Sequence, residues 1–299
     1  MRKLDPSELY ELEPDRPELD GPVLVQALEG FIDAGGARKL ASTHLLDSLE
    51  SQIVARFDVD QLFDYRARRP VMVFAKDHWE FYDAPVLAIH LLRDQAGTPF
   101  LLLAGPEPDV QWERFGAAVQ QVCSALGVRR SIGLNAIPMG LPHTRPVGVI
   151  AHGSPRSLVE AYEPWVETVQ VPASAGHLLE LRLGEAGKEA MGFAVHVPHY
   201  VSASAYPAAA AALVREVAKA GDLQLPVDAL DEAATATREA LDAQVAAAPE
   251  VAEVVHALEE QYDAFVAGRG KTPLADSELP TADELGAELE RFLAEQGEA

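Results

Sequence analysis

The sequence predicts an α/β fold: a mixed, mostly parallel sheet flanked by helices, followed by a C-terminal helical extension. Three observations carry this. Short runs rich in Val, Ile and Leu alternate with segments of helical periodicity through the first 225 residues. The first run, the helix after it and the next run follow directly as a βαβ unit, which calls for parallel strands joined by a crossover. Beyond Leu225-Pro226 the strand signal stops and helical patterns continue. The expected division is an α/β domain over 1–225 and a helical extension over 226–299.

Taken in order, Pro22 to Glu29 is a compact apolar run of the kind that forms a buried strand. Phe31-Ile-Asp33-Ala-Gly35-Gly36 turns into a helix reaching about Ser51, whose Ala37, Leu40, Ala41, Leu45 and Leu49 fall at core-facing spacing. Further strands are expected at Gln52 to Phe57, Pro70 to Phe74, Val86 to Leu92, Pro99 to Leu103, Ser131 to Ile137, Val147 to Ala151 and Met191 to Val197. The strands of Val86 to Leu92 and Pro99 to Leu103 leave no room for a helix between them, so part of the sheet is antiparallel or mixed. Helices are expected at Val110 to Leu126, Ser174 to Gly187 and Pro207 to Ala220. In the extension, Pro249 separates two helices, Asp228 to Ala247 and Glu250 to Ala267, and Thr281 to Glu295 forms a last acidic helix capped by Thr281 and Glu284.

Composition narrows the function. A net charge of −23, from 24 basic against 47 acidic side chains, leaves no basic face for nucleic acid. The acid is concentrated in residues 228–299, where 18 acidic side chains meet 4 basic ones. That reads first as a solvated helical surface and second as a partner-binding region. No apolar stretch approaches the roughly 18 residues of a membrane span, and the charged, proline-bearing start lacks an apolar signal core. A cytoplasmic protein is expected. The one cysteine, Cys123, excludes an intrachain disulfide and a thiolate metal cluster, and it falls on the apolar stripe of a helix. No cofactor and no metal are expected.

The polar features each carry a functional and a structural reading. Gly35 and Gly36 open a helix and offer free N–H groups to an anion, yet the turn lacks the Lys and Ser/Thr of a P-loop, and Asp33 is equally suited to capping. Arg66, Arg68 and Arg69 follow Asp58, Asp60 and Asp64. They either grip a phosphate or carboxylate or pair with those aspartates to pin a loop. In Gly105-Pro-Glu107-Pro-Asp109, Glu107 can face a cleft at the strand ends, and Asp109 is a natural helix cap. His143 and His199 belong to a doubled Pro-His signature. Each copy closes a strand and can serve either as an acid–base group or as a turn support. Arg145, two residues past His143, is the anion partner of the functional reading. Ser154 precedes a proline and sits in no nucleophile elbow, so acyl transfer is not expected.

Taken together these motifs resemble the PAC2 family, named for the second proteasome assembly chaperone, and its actinobacterial branch. The residues are Glu29-Gly-Phe-Ile-Asp33-Ala-Gly-Gly36, Asp64-Tyr-Arg-Ala-Arg-Arg-Pro70, Gly105-Pro-Glu-Pro108 with Trp112, and Pro138-Met-Gly with Pro142-His-Thr-Arg-Pro146. Val197-Pro-His-Tyr200 with Tyr206-Pro207 and Leu258-Glu-Glu-Gln-Tyr262-Asp263 complete the set. The resemblance implies a phosphorylase-like α/β sandwich without an established reaction, and self-association, with a trimer among the expected sizes. It also implies a protein partner. The assembly chaperones of the family are expected to dock through a hydrophobic-Tyr-any C-terminus, which Gln296-Gly-Glu-Ala299 lacks. Two functions follow as expectations: a non-catalytic interaction or assembly protein, and alternatively a nucleoside- or phosphate-binding protein or enzyme. In the second, Arg66, Arg69 and Arg145 hold the anion, and His143, His199 or Glu107 moves a proton.

Overall fold

The computed structural model describes residues 4–30, 32–164 and 168–268; the helix expected at Thr281 to Glu295 lies outside them. The strands are β1 (Tyr10–Leu12), β2 (Val23–Glu29), β3 (Ser51–Phe57), β4 (Met72–Ala75), β5 (His78–Tyr82), β6 (Ala88–Arg93), β7 (Pro99–Pro106), β8 (Arg130–Met139), β9 (Val149–Ser154) and β10 (Glu189–Pro198). The helices are α1 (Ala37–Ser48), α2 (Trp112–Ala125), α3 (Ala175–Glu185), α4 (Pro207–Gly221), α5 (Asp228–Ala247) and α6 (Pro249–Gly268).

Eight strands form one sheet in the order β1-β3-β6-β7-β2-β8-β10-β9. The four central strands β7, β2, β8 and β10 are parallel, and both margins are antiparallel. The expected βαβ unit is present in altered form. β2 and β3 run the same way, but β7 and β6 lie between them, so their crossover spans two intervening strands. β1 and β5 escape the sequence reading because each is short and carries no buried alternation.

Alternation of side chains along the strands divides the core into two faces. On one face Val23, Val25, Ala27, Ile132, Leu134, Phe193 and Val195 pack against α1 and α4. On the other, Leu24, Leu28, Leu101 and Leu103 pack against α2 and α3, with Phe115 wholly buried. Cys123 lies in this second layer, where burial pushes its thiol up to about 12, so it behaves as a small apolar side chain. α5 packs along α4 and α6 against α5, and α6 is tied to the segment after β8 through Thr144 and Arg145. Leu230 and Val255 are the buried side chains of these two helices, so polar contacts must do much of the work of seating α6.

β4 and β5 stand apart from the sheet as a two-stranded hairpin. The strand expected at Pro70 to Phe74 is thus real in part but does not join the main sheet. Its apolar residues face outward: Phe74 is 57 % exposed and Trp79 63 %.

Candidate functional site

The two Pro-His segments meet because β8 and β10 are parallel neighbours, with Val197 opposite Pro138 and Pro198 opposite Met139. The chain leaving β8 therefore runs beside the chain leaving β10. His143 is buried, and Tyr200 serves it twice: the phenol oxygen lies 2.7 Å from the main-chain nitrogen of His143 and 2.7 Å from its Nδ1. A hydroxyl has two lone pairs and one proton, so the same oxygen can accept the main-chain N–H and bond Nδ1 as well. The other ring nitrogen, Nε2, faces Asp242 of α5 at 3.2 Å. Burial pushes the Tyr200 phenol up to about 12, so it stays a hydroxyl at neutral pH. His199 stacks edge-on against Tyr200 with ring centroids 5.4 Å apart and is held below its ordinary pKa by burial, against a smaller opposing pull from the Met139 main chain.

Arg145 is taken up by α6. Its Nε and Nη2 reach the two carboxylate oxygens of Asp263 at 2.8 and 2.7 Å, and Nη1 reaches Glu259 at 3.1 Å. Thr144 donates its hydroxyl to the same Glu259 at 2.5 Å. The Thr144 bond first, and Arg145 after it, hold Glu259 below the ordinary carboxylate range; the Arg145 bond does the same for Asp263. The result is a polar seam of His143, Thr144, Arg145 and Tyr200 closed by Asp242, Glu259 and Asp263 from the extension. Nothing local to those three acids marks a partner about 100 residues away.

The other sequence candidates lie elsewhere. Arg66 and Arg69 are exposed on the loop before β4, away from the seam. Arg68, between them, is the anchored one: it bonds Asp109 at 2.7 Å and the Glu107 carbonyl, and its guanidinium stacks 4.4 Å from the centre of the Phe63 ring. The arginines therefore do not pair with the aspartates just upstream. Asp58 instead caps a 3-10 turn, Asp60 accepts from Tyr65, and Asp64 accepts the Arg66 N–H. Asp109 is also not the helix cap. Its carboxylate takes Arg68 and the Asp64 N–H, and Gln111, in the left-handed region at φ 60°, begins α2.

Gly35 and Gly36 form the turn into α1 with φ of 65° and 57°. The Gly35 N–H goes to the Ser202 carbonyl at 2.7 Å and the Gly36 N–H to Asp33 at 2.9 Å, while Asp33 caps α1 by accepting the N–H groups of Arg38 and Lys39. Both glycine donors are thus spent within the protein. Glu107 is buried at the carboxyl end of β7, with Oε1 taking the Ala175 N–H at the start of α3. Among the described residues no three His, Cys, Asp or Glu side chains gather as a metal site, and no helix is long and apolar enough to cross a membrane.

The geometry defines a class: an open α/β sheet whose strand tips are clasped by an acidic helical pair, with no nucleophile or metal set in the clasp. The chain belongs to the PAC2 family, whose model matches residues 27–245. It is similar to Rv2714 of Mycobacterium tuberculosis, a protein of unknown function, at 50 % identity and a TM-score of 0.84, covering 90 % of this chain and 94 % of that one. A Corynebacterium glutamicum protein of unknown function is 42 % identical over 86 % of this chain and 98 % of its own, with a TM-score of 0.83. The M. tuberculosis proteasome-assembly chaperone homologue Rv2125 is 29 % identical over 78 % of this chain and 99 % of its own, with a TM-score of 0.72. No curated protein matches.

Proposed function

We propose that this protein is a non-catalytic, self-associating interaction protein of the assembly-chaperone type, acting in the cytoplasm, with residues 226–299 as a helical extension that contributes to partner contact. The β4–β5 hairpin is the observation that carries this reading. Val71, Met72, Phe74, Trp79, Phe81 and Tyr82 are all exposed on it. Large apolar side chains left exposed together on one hairpin mark an interaction site.

The occupant is a second copy of this chain. On a molecule of net charge −23, the stretch from Val71 to Tyr82 carries Lys76 against Asp77 and Glu80, so it is a nearly neutral place where two acidic chains can approach. Each strand of the hairpin also has an edge left unpaired by the two-stranded sheet, open to strand addition. Three copies is the first size to test. A relative described as a proteasome-assembly chaperone homologue supports a protein partner beyond the self-contact.

Light scattering of the full chain tests the self-association: an oligomer is expected for the native protein and a smaller species for Trp79→Ser with Phe81→Ser. A native monomer across the micromolar range overturns it. Co-purification with the host's proteasome subunits tests the partner. Recovery of this chain by itself under mild salt rejects that part.

A further inference from the structure

Two side chains of opposite charge, Arg38 and Glu107, are each nine-tenths buried at the carboxyl ends of β2 and β7, yet no ion pair joins them within 4.0 Å. The Nε of Arg38 is buried with no hydrogen-bond partner among the described residues. Glu107 commits Oε1 to the Ala175 N–H, and its Oε2 lies over Gly30, where a Cβ would overlap it. His177, on the first turn of α3, is within electrostatic reach of Arg38, Glu107, His152 and Glu180. No side-chain hydrogen bond of its imidazole is found among the described residues; its main-chain N–H goes to Ser174.

Beside it, His152 Nδ1 meets Glu180 Oε1 at 2.7 Å, and the His152 and His177 rings are 6.1 Å apart. The His152–Glu180 pair sits on a gap in the sheet face at Gly192, where a Cβ would come 2.9 Å from Glu180 Oε2. The place in the fold matters as much as the groups. The helix after β2, α1, covers one face of the sheet, and the helix after β7, α2, covers the other. Adjacent parallel strands whose connections part to opposite faces form the switch point at which open α/β sheets take ligands.

The chemistry of the groups selects the ligand class. Arg38 can only donate, Glu107 can only accept, and each imidazole can do either. An anion would answer Arg38 but face Glu107, Asp33 and Glu180, and a cation would face Arg38. A hydroxyl accepts from the guanidinium and donates to the carboxylate, so several hydroxyls satisfy the whole set. We propose that Arg38, Glu107, His177 and the His152–Glu180 pair form a binding site for a small uncharged polyhydroxylated ligand, either a free sugar or the ribose of a nucleoside. The site shares no residue with the hairpin, so loss of self-association leaves it in place.

Saturation-transfer NMR on the full chain with D-ribose, D-glucose, adenosine and inorganic phosphate at millimolar concentration tests this. Transfer to at least one hydroxylated probe is expected. Ribose or glucose responding identifies a free-sugar site, and adenosine responding without them a nucleoside site. Arg38→Met and Glu107→Gln are each expected to weaken binding about tenfold or more, the scale set by leaving a buried polar partner unmet. His177→Ala changes a partly exposed side chain and keeps the test open if a buried variant fails to fold. Silence from all three hydroxylated probes overturns the proposal. So does a response to phosphate without them, or binding unchanged in every folded variant.

Discussion

One phenol oxygen, that of Tyr200, satisfies both the main-chain N–H and the Nδ1 of His143, each at 2.7 Å, and so fastens the tip of β8 to the tip of β10. Tyr200→Phe keeps the ring and removes the shared hydroxyl. Two buried polar atoms of His143 then lose their partner, for an expected cost of about 1–3 kcal/mol. A lowered urea midpoint at unchanged m-value is the signature. Equal midpoints for the two proteins would mean that the bond contributes nothing to stability.

Arg145→Ala releases Asp263 and Glu259 from the β8 tip. Hydrogen exchange is expected to quicken through 250–268 while the amides of β2, β7, β8 and β10 stay protected. The seam is also acid-sensitive. Both carboxylates are held below their ordinary values of 4.5 for Glu259 and 3.8 for Asp263. A depressed carboxylate stabilises the folded state above its ordinary value and loses that effect as the pH falls through the lowered one. Protection of α6 should therefore hold at neutral pH and fade below about pH 4. Exchange rates in α6 that ignore both the substitution and acid would count against the seam.

Gly35 carries a φ of 65°, and a Cβ placed there would stand 2.6 Å from the Tyr206 Cβ and 3.2 Å from Val197 Cγ1. Gly35→Ala combines a strained backbone with a contact in a packed layer, and about 1–3 kcal/mol of stability should be lost. Calorimetry reads this as a lower Tm. Gly36→Ala is a useful companion, since it has a similar φ but no neighbour within 4 Å of the added carbon.

The Cys123 thiol, raised from 9.0 to about 12 by burial, makes a prediction at alkaline pH. The unfolded chain ionises this thiol first, so the stability tied to its neutral form is complete below pH 9 and is lost as the pH climbs towards 12. Native protein should react slowly with iodoacetamide at pH 8. Cys123→Ala should show a shallower loss of stability above pH 9, by up to ~1.4 kcal/mol for each pH unit. Identical alkaline slopes would show that the thiol is not the responsible group.

The hairpin offers the most direct contrast between surface and core. Phe81→Ser, made by itself, changes a side chain 54 % exposed in the protomer, so the unfolding midpoint of the separated protomer should be preserved. Sedimentation velocity should still show weaker self-association, because an aromatic side chain at the centre of an interface contributes disproportionately. An unchanged sedimentation coefficient would move the interface elsewhere.

Much of the fold was legible because apolar periodicity reports burial directly. β2, α1, β8, β10, α4 and the α5–α6 pair all fall near where their patterns place them. Val71 to Tyr82 was not legible in the same way. An apolar run looks alike whether it is buried in its own chain or left outward for another surface, and here it is outward. The polar segments were harder still. Asp33, Asp64 and Asp109 each had plausible local roles, yet Asp109 turned from the helix start to Arg68 and the Asp64 N–H, since its strongest available partners lay in another loop. Arg38 and His177 each sit in an ordinary helical pattern that marks no site.

The sequence by itself determined the α/β class, the helical ending, the acidic balance and the family motifs, because these depend on composition and on the period of apolar residues. Only the tertiary structure decided that His143 meets Tyr200, that Arg145 is closed off by Glu259 and Asp263, and that Arg38 and Glu107 lie buried together without pairing. Those relationships are set by which strands become neighbours and by where α6 packs. Strand order β7-β2-β8-β10 brings the β8 and β10 tips together across about 60 positions, the packing of α6 brings Asp263 to Arg145 across 118, and no local pattern records either choice.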